Sequence, residues 1–157
     1  MSEPVLVSAC LLGRSCRYDG GENRDEVLEA RLEREGLRPV PFCPEEAGGL
    51  STPRPPAWIA GGDAEAVLDG EAGLVTDAGR DVTAAFVSGA EQAVGTCRVE
   101  GITRAFLKER SPSCGVCQTH RDGQRVDGPG VTAAALERAG VRCEGIEGHR
   151  QRPEDLS

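Results

Sequence analysis

Val5-Leu6-Val7-Ser8-Ala9-Cys10-Leu11-Leu12 is an unbroken, mostly apolar run of strand length near the start of the chain. Such a run, without polar alternation, is the pattern of a strand covered on both faces. It predicts strand one over Pro4 to Ala9. After Gly20-Gly21 the period changes. Val27, Leu28 and Leu32 fall on one helical face running to about Glu35, Asn23 or Asp25 can cap its start, and Gly36 can stop it. Leu37 to Phe42 predicts a second strand, and its two prolines point to a sheet edge. Strand, helix and strand in immediate succession make a βαβ unit, so the strands should be parallel with a right-handed crossover.

Pro44 to Pro56 is a Pro- and Gly-rich loop of a length that is often functional. Ala64 to Thr76 predicts a hairpin turning at Asp69-Gly70. Val82 to Thr96 predicts a long helix, with Val82, Phe86, Ala90, Ala93 and Val94 as its core-facing stripe. Ile102 to Leu107 predicts a third strand, and Asp122-Gly123 a further tight turn. Val131 to Arg138 predicts a last helix stopped by Gly140, and Val141 to Ile146 a fourth strand. The expected fold class is α/β: a single domain over residues 1–147 with a mostly parallel open sheet, Rossmann-like and three-layered, and a small hairpin excursion. Residues 148–157 are expected to be a polar C-terminal tail.

Composition narrows the chemistry. A chain of 157 residues can bury an adequate core without disulfides. Its seven cysteines are an odd number, no basic leader precedes the first apolar run, and no apolar stretch approaches bilayer length. The expectation is a cytoplasmic protein with no membrane partner, where clustered thiols bind metal or do chemistry. A net charge of −8 disfavours a long nucleic-acid partner and suits a small, neutral or weakly charged substrate. Lys108 is the only lysine, and aromatics make up only 3% of the chain, so Val, Leu and Ala must build most of the core.

Cys10, Cys43 and Cys114 each fall at or just past the carboxyl end of an expected strand. In open parallel sheets that rim is where ligands bind, so three thiols far apart in sequence should converge there. Three small buried hydrophobes would be the plain alternative, but the polar, glycine-rich flanks favour a shared metal or redox role. Three thiolates could hold zinc with His120 or His149, or a closed iron–sulfur centre with Cys16 or Cys117. They could also hold a 4Fe–4S cluster with one iron left open. Spacing does not choose among these.

Three blocks of residues carry a resemblance. Ser8-Ala9-Cys10-Leu11-Leu12-Gly13 with Cys16-Arg17-Tyr18-Asp19-Gly20, then Cys43-Pro44-Glu45 with Gly48-Gly49-Leu50 and Pro53-Arg54, then Leu107-Lys108 with Ser111-Pro112-Ser113-Cys114-Gly115, occur in that order. In these the chain resembles the thiouracil desulfidase family, formerly a domain of unknown function. The resemblance implies a 4Fe–4S cluster held by Cys10, Cys43 and Cys114, and a non-redox desulfuration of a thiolated pyrimidine base or nucleoside. In that scheme an exposed iron takes the substrate sulfur, water adds at the ring carbon and sulfide leaves. Glu45 is favoured as the base over its neighbour Glu46, and Ser111 is a candidate for holding the substrate or the attacking water. Cys16, Tyr18 and Asp19 are candidates for the substrate side. Arg54 can position Glu45, while Cys97 and Cys143 are expected in the core. The alternative function is a non-enzymatic iron–sulfur or zinc protein carrying sulfur or electrons. A metal-free cysteine hydrolase is weakened because no histidine lies near a signature cysteine.

Overall fold

The computed structural model describes residues 2–148, and the expected polar tail beyond them, with His149, lies outside the described residues. The strands are β1 (Glu3–Ser8), β2 (Leu37–Phe42), β3 (Ala57–Ala60), β4 (Gly73–Thr76), β5 (Arg104–Lys108), β6 (Gln118–Arg121), β7 (Gln124–Asp127) and β8 (Arg142–Ile146). The helices are α1 (Glu26–Arg34), α2 (Pro44–Ala47), α3 (Ala64–Leu68), α4 (Thr83–Glu100) and α5 (Val131–Arg138).

The main sheet runs β2-β1-β5-β8, and all of its pairings are parallel. β2 is an edge strand, where the missing N–H groups of Pro39 and Pro41 cost least. Alternation along β1 divides the core. Val5 and Val7 pack with Leu28 and Leu32 of α1 on one face, while Leu6 packs on the other with Ala93 of α4 and Leu136 of α5. Each such fully buried side chain contributes about 1.5–3 kcal/mol of transfer free energy. Helices on both faces of a parallel sheet give the expected three layers. Asp25 caps α1 by accepting the Leu28 N–H at 2.9 Å, and Gly36 leaves the helix at φ +70°.

The second sheet departs from expectation. It runs β4-β3-β6-β7, with β3 antiparallel to β4, β6 antiparallel to β7, and β3 parallel to β6. Ala64–Leu68, read from sequence as a hairpin arm, is instead the helix α3. Asp63 caps it by accepting the Ala66 N–H at 2.9 Å, and its Ala, Glu and Leu residues favour helix. The arm that pairs with β4 is β3; Ile59 of β3 and Leu74 of β4 face each other, fully buried beside Phe86 and Val131. The Asp122-Gly123 turn does form a hairpin, between β6 and β7.

α4 also extends beyond Thr96 to Glu100, because its buried stripe of Phe86, Ala90 and Ala93 continues through Cys97. Gly101 ends it at φ +71°. α2 and α4 meet backbone to backbone. A Cβ at Gly48 would stand 1.9 Å from the Ala85 carbonyl oxygen, and one at Gly89 would stand 2.0 Å from that of Pro44. Gln92 of α4 adds a hydrogen bond to the Ala47 carbonyl at 2.8 Å. Among the described residues, no helix is long and apolar enough to cross a membrane.

Candidate active site

A cavity of about 650 Å³ opens at the carboxyl ends of β1, β2 and β5, with Trp58 and Thr76 of the second sheet in its far wall. This is within the usual range for small-molecule sites. Cys10, Cys16, Cys43 and Cys114 all line it. Cys10 lies in the short 3-10 turn Ala9–Leu12 that follows β1, Cys43 is the residue between β2 and α2, and Cys114 lies in the loop after β5.

Cys16 is buried between two of the others. Cys43 Sγ donates to the Cys16 carbonyl at 3.8 Å, and the Cys16 pKa is driven upward chiefly by interaction with the Cys10 and Cys43 sulfurs. The same contacts pull its partners down. Cys10 is held below the ordinary thiol range chiefly by the Cys16 bond, against burial and with help from the Asn23 amide and the Lys108 ammonium. Cys43 falls to about 7, again chiefly through Cys16 and against burial. Cys114 moves the other way, because burial outweighs the hydroxyls of Ser8 and Ser113 that bond to it.

The loop carrying Cys114 is fixed from inside. Ser111 Oγ accepts the backbone N–H groups of Ser113 at 3.1 Å and Cys114 at 3.0 Å. Both bonds use the hydroxyl as acceptor, so its proton is available to the cavity that Ser111 lines. The Glu109 carboxylate, only 7% exposed, accepts N–H groups from Val116 at 2.9 Å, Cys117 at 3.0 Å and Gln118 at 3.3 Å. Burial pushes Glu109 up, but these bonds together bring it below the usual carboxylate range.

Glu45 and Glu46 separate clearly. Glu45 lines the cavity and pairs with Arg54, their side chains being 16% and 5% exposed. Burial raises its pKa, and Arg54 opposes the rise. Glu46 is committed elsewhere, to the Thr52 hydroxyl at 2.5 Å and to Arg14 at 2.9 Å. Arg54 also donates to the Cys16 carbonyl at 2.8 Å, tying the Glu45 segment to the first cysteine loop. Lys108 reaches the cavity wall with its Nζ donating to the Glu109 carbonyl at 2.9 Å, and burial lowers its pKa.

Tyr18, 44% exposed, stands in the cavity wall. Asp19 does not line the cavity: its carboxylate accepts the Gly21 N–H at 2.9 Å and pairs with Arg17 at 3.4 Å, holding its own turn. A short Asp side chain before Gly bonds readily to the backbone two residues on. His120 lines the cavity, bonded through Nδ1 to the Arg110 carbonyl at 2.6 Å. Cys97 is buried in the core, and Cys143 packs against it half-buried. Cys117 is exposed and outside the cavity wall. Sequence reasoning missed Asn23 as a site residue. Its amide points at Cys10 Sγ, and the only sequence hint was its candidacy as a helix cap.

Among the described residues, no three His, Cys, Asp or Glu side chains are arranged to hold a single metal ion. An all-sulfur donor set spread around a cavity mouth fits an iron–sulfur cluster, whose irons present separate corners to their thiolates. The fold and site therefore define a small α/β protein that delivers soft sulfur donors from several strand ends into one substrate-sized cavity. The chain belongs to the 2-thiouracil desulfurase family, whose model matches residues 5–146. It is similar to YbbK of Bacillus subtilis (strain 168), an uncharacterised protein, with 41% identity over 141 residues, 88% of this chain and 92% of that protein. It is also similar to a solved structure, the 4Fe–4S-dependent thiouracil desulfidase TudS. The TM-score is 0.78 at 44% identity, covering 93% of this chain and 92% of the other.

Proposed function

We propose that this protein removes sulfur from thiolated pyrimidines, converting thiouracil to uracil, with a 4Fe–4S cluster held by Cys10, Cys43 and Cys114. The observation that carries this reading is the meeting of those thiols, from three strand ends, in one cavity with the Glu45–Arg54 pair and Ser111. When bound with three thiolate ligands, the cluster supplies a Lewis-acidic iron for the soft sulfur of the substrate.

The remaining chemistry falls to the chain. Glu45, buried and paired with Arg54, takes a proton from water as that water adds to the thiocarbonyl carbon. The Ser111 hydroxyl orients the water or the substrate from the opposite segment. Tyr18 and Cys16 form part of the wall against the pyrimidine. Carbon exchanges sulfur for water oxygen, hydrogen sulfide leaves and no electron is gained or lost, so the reaction is hydrolytic in type. A cavity of about 650 Å³ has room for a base or a nucleoside beside the cluster. Open clusters survive best in reducing surroundings, which suits a cytoplasmic enzyme.

The test is anaerobic purification, iron and sulfide assay, and incubation with 2- and 4-thiouracil. Loss of thiocarbonyl absorption with stoichiometric sulfide release is expected. A colourless, zinc-loaded protein without turnover would overturn the reading. Alanine at Cys10, Cys43 or Cys114 should each abolish iron binding, whereas Cys97→Ala should retain it.

A further inference from the structure

Asn23 is 4% exposed, lines the cavity and is drawn against the first cysteine from two directions. Its backbone N–H donates to the Cys10 carbonyl at 2.9 Å, and its side-chain Nδ2 donates to Cys10 Sγ at 3.6 Å. The orientation of the amide is fixed by chemistry. Arg17 Nη1 lies 3.3 Å from Asn23 Oδ1, and a guanidinium can only donate, so the oxygen must face Arg17 and the NH₂ group must face sulfur. Arg17 is itself anchored by Asp19, so the series runs from Asp19 through Arg17 and Asn23 to the thiol.

We propose that Asn23 is a positioning residue that orients Cys10 and withdraws charge from its sulfur, with Arg17 polarising the amide. This rests on Cys10 being a cluster ligand. An N–H···S bond to a ligating thiolate favours the more negative, reduced cluster and so raises its reduction potential. The same withdrawal leaves the open iron more electron-poor, and therefore a better acceptor for a substrate sulfur. It also assigns a use to Arg17 in the cavity wall and to Asp19 behind it.

The experiment is a dye-mediated redox titration of the anaerobically reconstituted protein, followed by visible absorption and by electron paramagnetic resonance of the reduced state. Asn23→Leu keeps approximate size and removes the donor; it should shift the midpoint to a more negative potential. Asn23→Asp replaces the donor with a carboxylate and should shift it further the same way. Arg17→Met leaves Asn23 in place and should give a smaller shift of the same sign. Unchanged midpoints in cluster-loaded Asn23 variants would overturn the inference. If those variants fail to assemble a cluster, Arg17→Met decides, and an unchanged midpoint there overturns it equally. Full iron content in Cys10→Ala would instead show that the ligand assignment is at fault, separating the two failures.

Discussion

Replacing Glu109 by glutamine keeps the side chain's length and one acceptor oxygen but removes its charge and turns an NH₂ group toward N–H donors. In the folded protein that carboxylate accepts bonds from Val116, Cys117 and Gln118 at 2.9 to 3.3 Å. Hydrogen bonds to a charged acceptor contribute about 1.5–3 kcal/mol each, and a buried donor left without a partner costs a comparable amount. All three bonds end on Oε1, so glutamine can keep them with a neutral acceptor and loses the Cys117 bond to Oε2 at 3.1 Å; the substitution should cost about 1–3 kcal/mol, a sizeable part of a typical total stability of about 5–15 kcal/mol. The pH dependence carries a sign. Because Glu109 lies below its ordinary value in the folded state, its contribution is fully present above the unfolded pKa of about 4.3 and is lost as pH falls through the lower folded value. Urea unfolding of the cluster-free protein, followed by circular dichroism at several pH values, reads both effects. The gap between wild type and Glu109→Gln should hold steady between about pH 7 and pH 5 and narrow below about pH 4. Alkylation of the buried Cys114 should accelerate in the variant as its loop opens. A gap under about 1 kcal/mol at neutral pH, or one that persists undiminished in acid, would refute the reasoning.

Glu45→Gln should retain a full complement of iron and lose turnover by about 10²–10⁴-fold, measured as sulfide release. Arg54→Met leaves Glu45 buried without its cation and should cost about 3–5 kcal/mol in urea unfolding. It should also raise Glu45 further, moving the acid limb of the rate profile to higher pH, whereas a limb moving to lower pH would contradict the pairing. Gly48→Ala should cost about 1–3 kcal/mol, because its Cβ would stand against the Ala85 carbonyl, and should reduce kcat by displacing Glu45 while iron content stays near wild type.

Much of this is legible in the amino-acid sequence itself. The main sheet could be read because β1 is an uninterrupted apolar run and β2 carries prolines that only an edge tolerates. Cys10, Cys43 and Cys114 could be grouped because topology sends the ends of parallel strands to one rim, whatever their separation in sequence. The second sheet was opaque for a physical reason. β3 is four residues long between Pro55-Pro56 and Gly61-Gly62, and its buried cluster draws on Phe86 and Ala90 of α4 and Val131 and Ala134 of α5 as well as on nearby Leu74. The Asp69-Gly70 signal was real but ambiguous: Gly70 turns the chain at φ +79°, after a helix rather than between two strands. Glu109 and Asn23 stayed hidden because their partners are backbone N–H groups and a thiol, which leave no spacing signature. Asp19 stayed ambiguous because a carboxylate before glycine reads equally as a pocket residue or as its own turn.

The two sides of the cavity differ in how they can change over evolutionary time. Where α2 lies on α4, main chain meets main chain, so few substitutions can move Glu45 without disturbing both helices. The facing wall is made of side chains such as Trp58, Arg80 and Val82, borne on short segments of the second sheet and its connections. The wall that holds Glu45 and the wall that can be reshaped are thus physically separate, and a search for variants with a new pyrimidine preference should begin at those three positions.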